Sequence, residues 1–318
     1  MENDKYVGIV EDPRTEEQKA LDYKQEDLAS GIQAFEWKEK SEDKWKKFLI
    51  RNQDGSSACV AFATSKILGM HEVQEGRFFR DLSPKFIYTR RQNYPDGGMW
   101  LPNALAIACG SGACKENLLP CDDKRESFMN DKGQETSAAQ EDAKFYKGKF
   151  YFSIKVNIDE IAKIIEQGYG VLLGFRFDYN EWIETPFIDP NSKLSCGHGV
   201  PAVDYMLRDN KKVLLIEDSW GPGFGKGGRR FITEEFLKER CFYAGYVTSL
   251  PNFIFTKTLR KGSRGLDVKK LQEKLKVKVD GIFGEKTEER VKVFQFAHNL
   301  KVDGIVGPKT NEVLNSIP

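Results

Sequence analysis

"RNQDGSSACVAFATSKILGMHE", residues 51–72, runs through polar and small residues to Ala58, places a cysteine at 59, and turns apolar from Val60 onward. Val60, Ala63, Ile67 and Met70 recur at helical spacing, which predicts a helix entered at Cys59 with Ser56 or Ser57 as its N-cap. A thiol at a helix entry meets unsatisfied backbone donors and the positive end of the helix dipole, both of which favour the thiolate.

A thiolate nucleophile needs a partner that takes and gives a proton, and the chain has three histidines. His71 closes the helix that Cys59 opens, about 18 Å away at about 1.5 Å per residue. His298 lies in a separate C-terminal stretch. His198, in "SCGHGVPAVDY", opens a strand-like run and is the partner expected. Asp218 ends the apolar run "VLLIED", where its carboxylate would hold one ring nitrogen and leave the other facing the thiol. Gln53, six residues before Cys59, would join the Cys59 backbone N–H in binding a developing oxyanion.

The 318 residues carry a net charge of +1, with 40% apolar and 12% aromatic residues. That is enough for a real core and gives no sign of nucleic-acid binding. Residues 259–318 hold 13 Lys or Arg against 8 Asp or Glu, so a basic module follows a mildly acidic body. No stretch has the length of a signal-peptide core or a membrane span. Six cysteines are ordinary usage for this size and fit a reducing compartment. Cys109, Cys114 and Cys121 lack a CxxC pair and a nearby histidine, so core packing or one disulfide is expected rather than a metal site. Cys196 is expected to border the cleft, and "GFGKGG" lacks the Lys-Ser/Thr ending of a phosphate loop. No cofactor is implied.

Residues 1–33 read as a polar arm with one thin helical candidate, "TEEQKALDYKQEDLA". "DEIAKIIEQ" (159–167) reads as a helix. "GVLLGFRF", "HGVPAVDYMLRD", "KKVLLIEDSW" and "GGRRFITEEFL" read as strands, the last running into a helix. Helices first and strands second make an α+β pattern. The polar stretch 110–148 shows no assignable pattern. "KVDGIFGEKTEE" (278–289) and "KVDGIVGPKTNE" (301–312) match at nine of twelve positions. Two copies are too few for a solenoid, so they predict one small compact domain. The expected organisation is an arm at 1–33, a main domain at 34–250, a linker at 251–258 and a small domain at 259–318.

These residues resemble the papain-like cysteine peptidases. "NQDGSSACVAFA" is similar to that family's nucleophile motif, "GHGVPAVDY" to its histidine motif, and "IEDSWGPGFGKGGRRFI" to its third-residue motif. The resemblance implies a two-lobed fold, a helical lobe beside a β-barrel-like lobe. It also implies Cys59 as nucleophile, His198 as acid and base, Gln53 as oxyanion donor, and Trp220 covering the contact between Asp218 and His198. Gly97 and Gly98 of "DGGMW" would line the cleft and bond an extended substrate. Three positions depart from the family: Asp218 for Asn, Val60 for an aromatic, and Ser56 for a cysteine whose loss removes a disulfide. The carboxylate is expected to raise the pKa of His198. About 33 residues precede the domain, too few for the family's long inhibitory propeptide.

"LRKGSRGLDVKKLQEKL", "VDGIFGEKTEERVKVFQ" and "VDGIVGPKT" resemble the peptidoglycan-binding domains of the three-helix type, an all-α fold. Together the two resemblances imply a monomeric cysteine endopeptidase anchored to bacterial cell wall, acting on peptide or protein. Made in the cytoplasm without a signal peptide, it would be a phage lysin or a virion-associated protein. The alternative is a catalytically inactive papain-like scaffold that only binds the wall.

Overall fold

A computed structural model describes residues 8–15, 19, 36–40, 49–53, 55–121, 125–183, 187–249 and 258–316. The helical candidate in the arm and the linker lie almost wholly outside them. The chain divides into two units: Met1–Pro13 with Phe35–Ser249, and Arg14–Ala34 with Leu250–Pro318.

The larger unit starts with α1 (Cys59–Gln74), buried at every position through Glu72 except Lys66. The apolar stripe is therefore only part of what the helix packs. Its buried hydroxyls turn back onto their own helix: Thr64 Oγ1 donates to Val60 O at 2.7 Å and Ser65 Oγ to Phe62 O at 2.9 Å. That removes the desolvation cost of an unpaired polar group. The expected serine cap does not form. The N-cap is Ala58, which offers no side-chain acceptor. Ser56 Oγ donates back to Gln53 O at 2.7 Å, and the Ser57 N–H is taken by Glu126 Oε2 at 2.7 Å.

Around α1 lie α2 (Pro84–Tyr88) and α3 (Leu101–Gly110). The stretch without a sequence pattern forms short helices, α4 (Glu126–Asn130) and α5 (Ser137–Ala143), with two 3-10 turns. Its buried hydrophobic residues are irregularly spaced: Ala113, Cys114, Leu119, Cys121, Met129, Ala139 and Ala143.

The strand-rich part follows as β1 (Phe150–Ile154), α6 (Ile158–Glu166), β2 (Val171–Phe177), α7 (Tyr179–Ile183), β3 (Cys196–Arg208), β4 (Lys211–Glu217), β5 (Arg229–Thr233), α8 (Glu234–Arg240) and β6 (Cys241–Thr248). They form one antiparallel sheet in the order β1-β6-β2-β3-β4-β5. The α6 helix is capped by Asn157, whose Oδ1 accepts from the Asp159 and Glu160 N–H groups. Four isoleucines and Ala162 form its buried side. The β3–β4 hairpin turns on Asp209 and Asn210, both at positive φ (49° and 58°), the turn whose twist suits two antiparallel strands. Strand β3 is central and buried over nearly its whole length. Gly199 on it lets α1 come close, because a Cβ there would lie 2.8 Å from Val60 Cγ2.

In the smaller unit, α9 (Leu266–Lys274), α10 (Glu285–Ala297) and α11 (Pro308–Ser316) surround a core of Leu259, Val268, Leu271, Leu275, Phe283, Val291, Val306 and Leu314. The repeat has a physical centre in two buried glutamines 23 residues apart. Gln272 Nε2 donates to Asp280 Oδ1, Ile282 O and Thr287 Oγ1. Gln295 Nε2 does the same to Asp303 Oδ1, Ile305 O and Thr310 Oγ1. Each Oε1 accepts from the glycine N–H of its own Asp-Gly turn, Gly281 or Gly304.

Replacing Gln295 by leucine keeps the volume and strands four polar partners, a cost of about 2–4 kcal/mol. Hydrogen exchange read by mass spectrometry should accelerate across residues 264–316 of Gln295→Leu and stay unchanged in the larger unit.

Candidate active site

Strand β3 and the first turn of α1 bring Cys59 and His198 together. The Gly199 N–H donates to Cys59 Sγ at 3.4 Å, and the His198 ring hydrogen-bonds the same sulfur. His198 Nε2 lies 2.9 Å from Asp218 Oδ1, which leaves Nδ1 for the sulfur. Asp218 follows β4 directly, and its N–H is held by Gly228 O at 2.7 Å. Trp220 lies with its ring centroid 5.0 Å from that of His198.

Two residues that carry no sequence signal complete the Asp218 site. Trp182 Nε1 of α7 donates to Asp218 Oδ2 at 2.8 Å, and Arg230 Nε of β5 donates to the same oxygen at 2.9 Å. Asp218 is 1% exposed. Burial alone would raise its carboxyl, but the charge and hydrogen bond of His198, then those of Arg230, hold it below the ordinary range. Burial alone would lower His198. The Asp218 charge and hydrogen bond outweigh it, Cys59 adds to them, and His198 is pushed up from 6.5 to about 9. Nothing in the sequence says that these three segments meet.

Gln53 is buried and fixed at both ends of its amide. Oε1 accepts from Ser219 Oγ, and Nε2 donates to Ser56 O at 2.8 Å. Its second amide hydrogen and the Cys59 backbone N–H have no partner among the described residues. Gly97 and Gly98 form a wall beside the approach to Cys59, where a Cβ at 97 would lie 3.4 Å from Ser57 Oγ. The Gly98 N–H donates to Tyr88 Oη at 3.0 Å, and Tyr88 Oη donates to Glu126, which also holds the Ser57 N–H. Glu126 thus ties that wall to the approach to Cys59.

Residues 8–11 lie across this cleft. Gly8 N donates to Gly197 O at 3.3 Å, Met99 N donates to Gly8 O at 3.1 Å, and Val10 N donates to Met99 O at 3.2 Å. The strap thus pairs with both walls, at Gly197 beside His198 and at Met99 beside the glycine pair. Any Cβ at position 8 would lie 2.1 Å from Cys59 Sγ. Ile9 is buried, and Glu11 pairs with Arg176 at 2.6 Å. The arm is short, yet part of it occupies the cleft. The extended partner bonds Met99, one residue beyond the expected Gly97 and Gly98.

All six cysteines are free, so the expected choice for Cys109, Cys114 and Cys121 resolves to packing; burial pushes each of these thiols up to about 12. Cys196 sits beside Gly197 at the cleft edge, and His71 is buried. Among the described residues no cluster of His, Cys, Asp or Glu is placed to hold a metal, and no helix is long and apolar enough to cross a membrane.

Residues 32–244 match the family model "Papain family cysteine protease", and residues 264–314 match "Putative peptidoglycan binding domain". Chymopapain of Carica papaya is 20% identical over 229 residues, covering 70% of this chain and 62% of its own length. Among solved structures, xylellain, a cysteine protease from Xylella fastidiosa, superposes with a TM-score of 0.65 at 19% identity, over 77% of this chain and 97% of its own. Digestive procathepsin L2 proteinase of Tenebrio molitor gives 0.61 at 15% identity, over 77% and 79%. With more than half its length matched by the first model, and with a thiol, an imidazole and a carboxylate aligned in its cleft, the chain belongs to the papain family of cysteine proteases.

Proposed function

We propose that the chain is a cysteine endopeptidase working through Cys59, His198 and Asp218, held on bacterial wall by its C-terminal domain. The observation that carries this reading is the His198 ring, with Asp218 at Nε2 and the Cys59 sulfur at its other nitrogen.

In the proposed reaction Cys59 passes its proton to His198 Nδ1, and the sulfur attacks an amide carbonyl. The unpaired Gln53 amide hydrogen and the Cys59 backbone N–H receive the oxyanion. His198 then protonates the amine as the C–N bond breaks, which leaves a thioester. His198 takes a proton from water as water attacks that thioester, and the returning proton restores the thiol. Asp218 fixes the ring and stabilises its cationic form. Trp220 shields that contact. An internal stretch of chain suits the cleft, because the strap already passes through it in extended form with backbone bonds on both walls.

The strap makes the described arrangement a resting one. The Gly8 carbonyl is spent on the Met99 N–H and is not offered to the oxyanion donors, so the strap blocks the thiol without presenting a bond to cut. Pairing a protease with a wall-binding domain suits a phage lysin or a virion-borne enzyme that meets peptide cross-links or proteins at the wall.

Purified protein offered casein and sacculi should create new amino termini or release muropeptides. Cys59→Ala should lose at least about a thousandfold in rate, and full activity in that variant would remove the nucleophile assignment. Gly8→Ala places a methyl group against Cys59 Sγ and should expel the strap. Alkylation of Cys59 by iodoacetamide, followed on its own peptide, should then speed up about tenfold or more; an unchanged rate would show that the strap does not guard the thiol.

The pH limits follow from His198. Its raised pKa keeps the imidazolium through neutral pH, and the pair is lost as pH rises through about 9. The stability that it contributes is complete below about 6.5 and disappears over the same rise. Asp218→Asn removes the anion that holds the proton and leaves Arg230 cationic nearby. The alkaline limb of kcat/KM should therefore move down from about pH 9 towards 6.5; an upward move would contradict the ion pair.

A further inference from the structure

The 23-residue repeat makes the smaller unit its own control, since equivalent positions should be buried alike. Most are: Gln272 and Gln295 bind the same set of partners, and Lys276 and Asn299 share a positive φ of 54°. Three positions break the pattern on one face, and at the first of them Asp267 is buried whereas its counterpart Arg290 is exposed. Leu275 is a core residue, whereas its counterpart His298 is exposed and lies tilted against Phe294 with centroids 4.4 Å apart. Lys270 is buried, whereas its counterpart Val293 is 55% exposed. The second copy has exchanged buried residues for an exposed imidazole and an exposed valine, beside Phe294, which is half-buried against the core.

That face borders a groove of about 460 Å³. Leu275, Phe294 and Leu314 contribute its apolar surface, and Arg290, Lys276 and His298 its polar groups. Arg290 Nε donates to Leu275 O at 3.0 Å, which holds the guanidinium in place. Its two Nη groups and Lys276 Nζ have no partner among the described residues. Lys274 also lines the groove, with Nζ on Leu314 O at 2.8 Å. Glu273 is the one carboxylate in the lining.

A neutral sugar presents hydroxyls that both give and accept hydrogen bonds, and would need acceptors that this lining scarcely has. The groove offers donors and positive charge above small apolar surface. That suits carboxylates on a short backbone with methyl-sized side chains. We propose that this groove is the wall-binding site, and that it takes the carboxylate end of a peptidoglycan stem peptide, with Arg290 as the fork for the carboxylate and Phe294 and His298 as the platform beneath the peptide.

The proposal rests on wall binding by this domain, and the test separates the two. Full-length Cys59→Ala protein, which leaves the wall uncut, is cosedimented with sacculi before and after chemical removal of teichoic acid. The free tetrapeptide L-Ala-γ-D-Glu-L-Lys-D-Ala and its C-terminal amide serve as competitors. Binding should survive teichoic acid removal and be competed by the acid but not the amide. Added Arg290→Ala should weaken it about tenfold to a hundredfold, as loss of a charged hydrogen bond does. His298→Leu restores the residue of the first copy and keeps the fold, checked by hydrogen exchange, and should also weaken binding. Wild-type affinity in both variants would overturn the groove. Equal competition by the amide would overturn the carboxylate. Binding that vanishes with teichoic acid would overturn the stem peptide as ligand. Failure of the parent protein to sediment at all would overturn wall binding itself.

Discussion

A single buried carboxylate organises the larger unit. Asp218 receives His198 from β3, Trp182 from α7 and Arg230 from β5, so three elements converge on two oxygen atoms. An ionised carboxyl taken out of water is costly unless charge and hydrogen bonds replace the solvent. Here both oxygens are used and a guanidinium lies against one of them. An amide would need no counter-charge, so the carboxylate and Arg230 form a matched pair, and either alone would leave a charge uncompensated. The neighbouring residues repeat the arrangement with other partners. Glu217 lies opposite Arg229 in the β4–β5 ladder and pairs with it at 3.1 Å, and Lys66 of α1 reaches its other oxygen at 2.6 Å. Successive strand residues point to opposite faces, so one acidic doublet facing one basic doublet serves both.

The strap exploits the same cleft at small net cost. Burying Ile9 stabilises it by about 1.5–3 kcal/mol, and three backbone hydrogen bonds add about 1 kcal/mol each. The Glu11–Arg176 pair adds little, because Glu11 is 80% exposed. Ordering four residues costs about 1–2 kcal/mol apiece. The sum lies near zero, which suits the proposed role of a closure that substrate displaces. Position, more than energy, makes it effective, since Gly8 rests where only a hydrogen fits above the sulfur.

Much of this was legible in sequence where the signal is local. Cys59 sits at a polar-to-apolar seam, His198 follows a glycine at a strand start, and Asp218 ends an apolar run, so each could be found alone and joined by elimination. The strands and α6 were legible because their apolar patterns are strong. What was not legible depends on contact between distant segments. Gly8 lies in the short apolar run "YVGIV", with nothing local to say what it meets. Trp182 and Arg230 acquire meaning only when α7 and β5 meet beside β4. The serine cap was a sound local inference that lost to tertiary bonding, because Gln53 O and Glu126 offered those serine groups other partners.

The cap that fails to form is itself informative. A helix entry without a side-chain acceptor leaves backbone N–H groups unused, which stability alone would not favour. At Cys59 the open helix entry lies beside the sulfur of the proposed nucleophile. The smaller unit departs from its own rule in the same manner: two copies share a glutamine, a turn and a positive φ, and then part company at His298 and Val293, which are exposed where Leu275 and Lys270 are buried. In both units the residues on which the proposed activities rest are those that packing and capping alone would have chosen differently. Local rules of packing and capping account for the scaffold, and the places where those rules are broken without repair mark the surfaces turned towards another molecule.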